Sequence, residues 1–429
     1  MSFITNTLRC AAMLIVPLCL SACGVDRWAG YAEKTKTDRW IDSLMRERYL
    51  WNDRIPDFNK LNYFQAPATF FKALLAQEDK LSAIDSLPSV AVRSIADTRY
   101  SYGIQYSMFG PMYNDTAYFA RVDYVAHHSP AELAGLQRGD WIMEMNGGPV
   151  TRKNYVLLSG SGAVTLTVGS YDIPTDSVIA RETPVPMGAA CAITDNPVYY
   201  NKVYQRADKR IGYLVYNRCT FGADPAAPDN RPYDRDLLDA SNTLAAAGAA
   251  GGDFILDLRY NDGGDMACAE LLCTLLAPAG ALGEVLGYAQ YNDRIGTTTL
   301  TLDPARITGG TNLNVQTLYV LTGTQTAAAA ELIINCLKPY MSVVLVGQKS
   351  AGQTLYTERY ANPELLIRIT PVVCRLFNSD NSSDYAGGFT PDYLLNPDDY
   401  PAYFLPLGDE RELLLGTALS LIDGSYTAQ

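Results

Sequence analysis

The stretch 318–354, LYVLTGTQTAAAAELIINCLKPYMSVVLVGQKSAGQT, alternates buried-looking apolar runs with glycine-bearing loops, and it constrains the fold more than any other part of the chain. Residues 318–322 are an apolar run of strand length, and Gly323-Thr324-Gln325 turns it. Thr326 is placed to cap a helix, and Glu331 falls early enough in that helix to favour its positive end. Leu332, Ile333, Cys336 and Leu337 have the spacing of one buried helix face. Residues 343–346 form a second buried strand, ended by Gly347 and followed by another loop. A strand, a helix and a strand in succession predict an α/β body of sheet covered by helices, with chemistry on its loops.

The flanking sequence extends this body over 187–424. Strands are expected at 210–217, 254–258 and 368–373, and helices at 237–247 and 412–422. After the strand at 254–258 the chain reads Asp257-Leu258-Arg259-Tyr260-Asn261-Asp262-Gly263-Gly264. Two consecutive glycines let the backbone aim N–H groups into a cleft, as stabilisation of developing negative charge requires. Upstream, 99–169 is rich in strand patterns. Ser129-Pro130-Ala131 leads into a short helix closed by Gly135, Gly139-Asp140 opens a strand, and Asn146-Gly147 makes a tight hairpin. A linker is expected at 172–186. Between 34 and 87 the pattern is helical, in a domain expected to run to 95: Trp40, Ile41, Leu44, Met45 and Tyr49 recur at three and four, Pro56 breaks the run, and a second helix is expected at 69–76.

These motifs resemble the carboxy-terminal processing, or tail-specific, serine peptidase family. In that family the strand-to-helix turn reads roughly Thr/Ser-Ala-Ser-Ala-Ser-Glu with the central Ser as nucleophile, and a later Gly-x-x-Thr-x-Gly-Lys supplies a Lys as general base. With Glu331, Gly347 and Gly352 as anchors, the resemblance puts Ala328 at the nucleophile position and Gln353 at the general-base position. A methyl group cannot attack a carbonyl, and a neutral amide cannot take a proton near neutral pH. The family's Asp-Leu-Arg-x-Asn-x-Gly-Gly turn implies oxyanion-hole positions at Gly263 or Gly264 and at Ala329. Asp262 departs from the usual form, since a carboxylate facing inward there would repel an oxyanion. The Gly387-Gly388-Phe389-Thr390-Pro391-Asp392 turn and Leu407-Gly408-Asp409 before the last helix also resemble the family. The module at 99–169 resembles a PDZ domain, with Ser101, Tyr102, Gly103 and Ile104 standing where such domains hold a peptide carboxylate on backbone N–H groups. The helical segment resembles the small N-terminal domain of Bacteroidetes-type members.

Composition limits the partners. A formal net charge of −12 argues against nucleic acid. The only two His are adjacent, His127 and His128, and there is no Cys-x-x-Cys pair, so a zinc site is not expected and no cofactor is implied. Both His are read as exposed loop residues. Residues 1–22 have the form of a signal peptide, with Arg9, an apolar run at 11–20 and then Leu20-Ser21-Ala22-Cys23. This is a lipobox, and it predicts a lipoprotein acylated at Cys23 on the bacterial cell envelope. Six further Cys follow it, at 191, 219, 268, 273, 336 and 374. Cys268, Cys273 and Cys336 sit in helical patterns as core residues, whereas Cys219 follows a strand and approaches the expected cleft.

The expectation is therefore a multidomain α/β lipoprotein of three parts: a small N-terminal helical domain (34–95), a PDZ-like β-rich domain (99–169) and an α/β peptidase-like domain (187–424). It would bind polypeptide C-termini without cleaving them. The alternative is an active serine endopeptidase that recruits Thr326 or Lys349. A third chemistry, acid–base hydrolysis by Asp262, Asp265 and Glu331, stands below both, because these are ordinary turn and helix-start residues.

Overall fold

The computed structural model describes residues 27–86, 99–112, 117–223, 227 and 229–427. Cys23 and the expected signal peptide lie outside the described residues, as does the end of the helical domain expected at 95. The chain divides into two compact units, one made of the N-terminal residues to Ser86 with Arg359–Pro371, the other of the remainder.

In the first unit, helix α1 (Arg27–Arg48) buries Ile41 and Met45 completely, and Tyr49 lies one four-residue step further on. Helix α2 (Pro67–Leu74) buries Phe70, Phe71 and Leu74. It begins two residues before the expected start, because Pro67 has its φ already set for a first helical position. The Tyr49 hydroxyl ties the end of α1 to the turn after α2, donating to Asp79 Oδ2 at 2.8 Å and accepting the Ala76 N–H at 3.0 Å. The unit is more than helical. Strand Ala83–Ser86 pairs antiparallel with Ile367–Thr370, which pairs with Tyr360–Asn362. A hairpin from far along the chain thus completes the N-terminal unit, and the strand expected at 368–373 is split at Pro371, its second half entering the other unit.

The second unit contains the β-rich module and the α/β body. Strands Ile104–Met112, Ala117–Val125, Trp141–Met145, Val164–Asp172 and Ser177–Ala180 lie in that order in one sheet. Helix α3 (Pro130–Leu133) starts as expected: the Ser129 side chain accepts the Glu132 N–H at 3.1 Å. Asn146 and Gly147 both have positive φ, 51° and 76°, which is what a two-residue hairpin between Met145 and Gly148 demands. The stretch 172–186 is not a linker. Ser177–Ala180 and Val185–Met187 both pair back onto Val164–Asp172. Its proline and turn residues close a hairpin instead of separating domains.

The α/β body is built on a six-stranded sheet in the order Val198–Arg206, Lys209–Tyr216, Asp253–Asp257, Thr317–Thr322, Ser342–Gly347, Tyr393–Leu394. The first pair is antiparallel and the rest are parallel. Helices α4 (Pro232–Ala246), α5 (Met266–Leu276), α6 (Ala329–Leu337) and α7 (Leu413–Asp423) follow in chain order. Helix α7 packs Leu414, Leu415, Ala418 and Leu419 against Tyr213, Ile255, Leu321 and Val346 of the sheet. Helix α6, buried along its whole length, is covered by a second, four-stranded antiparallel sheet that includes Val285–Gln290 and Val372–Asn378. The Gly263-Gly264 turn, the start of α6 and the loop after Gly347 all follow the C-terminal ends of neighbouring parallel strands, where ligands of open α/β sheets bind.

Candidate active site

Ala328 is the residue before the first turn of α6, with φ 49° and ψ −113°. A side chain held in so sparsely populated a conformation costs ~1–3 kcal/mol. Neighbouring bonds hold it there: Ala327 N–H donates to Asn261 O at 3.0 Å, and Leu332 N–H donates to Ala328 O at 2.9 Å. Gly263 packs directly against it. A Cβ added at Gly263 would fall 2.6 Å from Ala328 Cβ and 3.1 Å from Ala329 N. Gly263 and Gly264 have φ of 98° and 125°, and a Cβ at Gly264 would lie 2.1 Å from Cys219 O. Both positions therefore need glycine.

The cap expected of Thr326 is not made. Thr326 is fully buried three residues before the helix, its hydroxyl accepting from Gly323 N–H at 2.9 Å and donating to Leu258 O at 2.8 Å. It braces the tight turn after strand Thr317–Thr322, because the strained residue that starts the helix is two positions further on. The two glycines also differ. Gly263 N–H is taken by Asn261 Oδ1 at 2.9 Å, so it is committed. Among the described residues, the N–H groups of Gly264 and Ala329 meet no hydrogen-bond acceptor.

Asn261, fully buried, organises this site, and the sequence alone did not single it out. Its Nδ2 donates to Tyr216 O at 2.9 Å, its Oδ1 holds Gly263, and its carbonyl holds Ala327. One residue thereby ties the end of a strand, the glycine turn and the Ala328 turn. Its place inside a strand-to-glycine turn was the available signal.

Glu331 does more than favour the helix end. It is completely buried, and its carboxylate accepts from Ser350 Oγ at 2.5 Å and from the N–H groups of Gly352 and Gln353, both at 2.7 Å. Ala351 N–H donates to Thr326 O at 2.9 Å. The loop bearing Gln353 is therefore clamped to the start of α6, and the structure brings the neighbourhoods of the two expected catalytic positions together. The Gln353 side chain makes one weak bond, at 3.4 Å, to Leu355 O. Lys349 is exposed on the same loop.

Asp262 faces outward. Its side chain is 56% exposed and pairs with Arg218, at 3.1 Å to Nε and 2.7 Å to Nη2. Asp265 accepts the Cys268 N–H at the start of α5. Cys219 does approach the turn, pairing with Gly264, but it is buried; burial pushes its thiol up to about 12, Asn261 opposing only in part. All six described Cys are free thiols. His128 is exposed, whereas His127 is half-buried and stacked on Tyr199, with Nδ1 2.8 Å from Glu132 Oε1.

In the β-rich module, Ser101 to Ile104 lead into the edge strand Ile104–Met112. Tyr102 is buried with its hydroxyl on Gly162 O, and Gly103, φ 80°, donates its N–H to Ser101 Oγ at 3.1 Å. The N–H of Gly103 is thus engaged within the loop itself. A salt-bridge chain links this module to the glycine turn. Arg138 reaches Glu412 at 3.3 Å and Tyr260 Oη at 3.2 Å, and Arg259 bridges Glu412 at 2.6 Å and Asp257 at 2.9 Å. Burial alone would raise the Glu412 carboxyl, but Arg259 and Arg138 outweigh it and hold it below the ordinary value. Among the described residues, no group of three His, Cys, Asp or Glu could hold a metal ion.

Comparison with known proteins matches this geometry to a family. Residues 36–102 match the peptidase S41 N-terminal domain and residues 210–395 match peptidase family S41, together more than half of the chain. A solved structure assigned to the S41 proteases, from Bacteroides fragilis NCTC 9343, is 39% identical with a TM-score of 0.82, covering 90% of this chain and 98% of that one. A carboxyl-terminal-processing protease of Picosynechococcus sp. is 24% identical over 307 residues, 68% of this chain but 64% of that protein's length. The chain belongs to peptidase family S41, the carboxy-terminal processing peptidases.

Proposed function

We propose that this S41 homologue binds polypeptides without cleaving them, as a lipoprotein anchored through Cys23. One observation carries the reading: the strained turn that would present a nucleophile presents the methyl of Ala328. Gln353 compounds the loss, since the loop clamped by Glu331 offers a neutral amide where a base is needed. What remains is a peptide site, with the unpaired N–H groups of Gly264 and Ala329 available to a bound carbonyl or carboxylate oxygen. The β-rich module is read as a PDZ domain. Its edge strand Ile104–Met112 would accept a peptide strand, and the loop Ser101 to Ile104 would receive the peptide's C-terminus. Polypeptide C-termini are the ligand class that the family's name points to.

The alternative groups are poorly suited to attack. Thr326 is sealed and spends its hydroxyl on the turn, Lys349 is solvated, and Cys219 holds its proton. Asp265 and Glu331 are structural acceptors. The test compares the natural protein with Ala328→Ser combined with Gln353→Lys, measuring digestion of a denatured polypeptide and labelling by a fluorophosphonate probe. Natural protein should show background digestion and no label, and the double variant should gain both. Digestion or labelling by the natural protein would overturn the reading and redirect attention to Thr326 and Cys219.

A further inference from the structure

The N-terminal unit carries a row of outward-facing aromatic rings along α1. The segment 56–65 runs back along that helix. Arg46 stacks on Phe58 at 4.2 Å and donates to Pro56 O, the Tyr63 hydroxyl donates to Asp42, and Phe64 meets Tyr31 edge-on at 5.9 Å. Phe58, Phe64 and Tyr31 are nevertheless 65%, 58% and 49% exposed. Rings that size, aligned over several helical turns and left in water, are unusual for a face with no partner.

Charge separates this unit from the rest of the molecule. Within 31–86 and 359–371 there are eleven Lys and Arg, none of them buried, and ten Asp and Glu, of which Asp38, Asp42 and Asp79 are buried. These segments therefore carry a formal charge of +1, whereas the rest of the chain has 36 acids against 23 bases, out of 46 and 34 in the whole. The unit also begins close to Cys23 in the chain. Only residues 24–26 separate that position from the start of α1 at Arg27, a reach of at most about 15 Å.

We infer that the Tyr31, Phe58 and Phe64 face rests on an anionic phospholipid surface, the aromatic rings at headgroup depth and the exposed bases of this unit, which the rest of the chain lacks in net terms, drawn toward the lipid phosphates. The tether rests on the reading of Cys23 as acylated, but the contact itself does not need the acyl chain. Aromatic side chains favour the headgroup region, and basic residues are attracted to an anionic leaflet. The net-negative remainder of the chain is repelled by the same leaflet.

The experiment uses the mature chain from residue 23 onward with Cys23→Ser, so that no acyl group contributes, and measures its sedimentation with lipid vesicles. Binding is expected to phosphatidylcholine vesicles containing phosphatidylglycerol and not to phosphatidylcholine alone. It should weaken about tenfold or more in a Tyr31→Ser, Phe58→Ser, Phe64→Ser variant and at high salt. Unchanged thermal unfolding of that variant shows that its fold is intact. No binding to the anionic vesicles, or binding indifferent to the three substitutions, overturns the inference. So does concentration-dependent dimerisation that the substitutions abolish, which would make a second copy the occupant. Incorporation of labelled palmitate by the natural protein in cells tests Cys23 separately.

Discussion

Asp38 lies on α1, 2% exposed, with neither carboxylate oxygen accepting a hydrogen bond of ordinary geometry. Burial pushes its carboxyl up to about 6 from 3.8, the Gln65 backbone amide opposing only in part. The folded unit holds this proton more tightly than the unfolded chain, so stability is highest below 3.8 and declines as pH rises through about 6. Asp38→Asn should therefore stabilise the N-terminal unit at pH 8 by ~1 kcal/mol, a gain that vanishes below 3.8. Tryptophan fluorescence during urea unfolding, at both pH values, measures it. An equal gain at both would mean that it does not come from removing the buried charge, and no gain at pH 8 would mean that the carboxylate is paired in solution. Ala328 is strained in a different way, by its backbone, with φ 49° and ψ −113° held by the bonds of its neighbours.

At the scale of elements, the start of α6 and the loop 348–354 behave as one piece because Glu331 joins them. Its three accepted bonds include two from backbone N–H groups. Glu331→Gln keeps the shape but replaces one acceptor oxygen with a donor that faces N–H groups, and should cost ~2–4 kcal/mol. Thermal unfolding measures that loss. Hydrogen exchange at Gly352 and Gln353 should accelerate at the same time, and unchanged exchange would show that the loop is held by other contacts. The clamp was not legible in sequence. Glu331 could be placed on a helix from its neighbours, but its partners lie some twenty residues on, across a strand.

For the second unit as a whole, the seam between the β-rich module and the α/β body is built from buried charge. Phe404 lies beneath both Arg121 and Arg138, at 3.5 Å and 3.7 Å. Arg138 also reaches Glu412, the residue that starts α7 and anchors Arg259. Arg138→Met should destabilise this unit by ~2–4 kcal/mol and expose the seam to proteolysis, and Arg138→Lys should rescue little, because a point charge cannot serve the three acceptors that the guanidinium reaches, Glu412, Tyr260 Oη and Leu405 O. Thermal unfolding and limited proteolysis check both variants. Because Glu412 is held below its ordinary value, acid should leave this seam intact until pH falls well below 4.5.

The strand, helix, strand core at 318–346 and the turns that flank it were legible in the sequence. Apolar runs bounded by glycine and proline marked the central strands and the helices of the α/β body, though α4 starts five residues before the expected 237 and strands such as Val198–Arg206 and Val285–Gln290 were not read; Asn146-Gly147 and Ser129-Pro130 specified their turns by local stereochemistry alone. The absence of a hydroxyl at Ala328 and of an amine at Gln353 is likewise a property of the chain. What tertiary structure decided were the pairings between distant segments. The hairpin at 360–370 completes the N-terminal unit, 172–186 folds into a sheet instead of linking domains, Thr326 braces a turn, and Gly263 gives up its N–H to Asn261. Each depends on a partner outside its own element. Local propensity cannot specify such a partner, because the energy of a buried hydrogen bond is realised only when the fold has brought both of its atoms together.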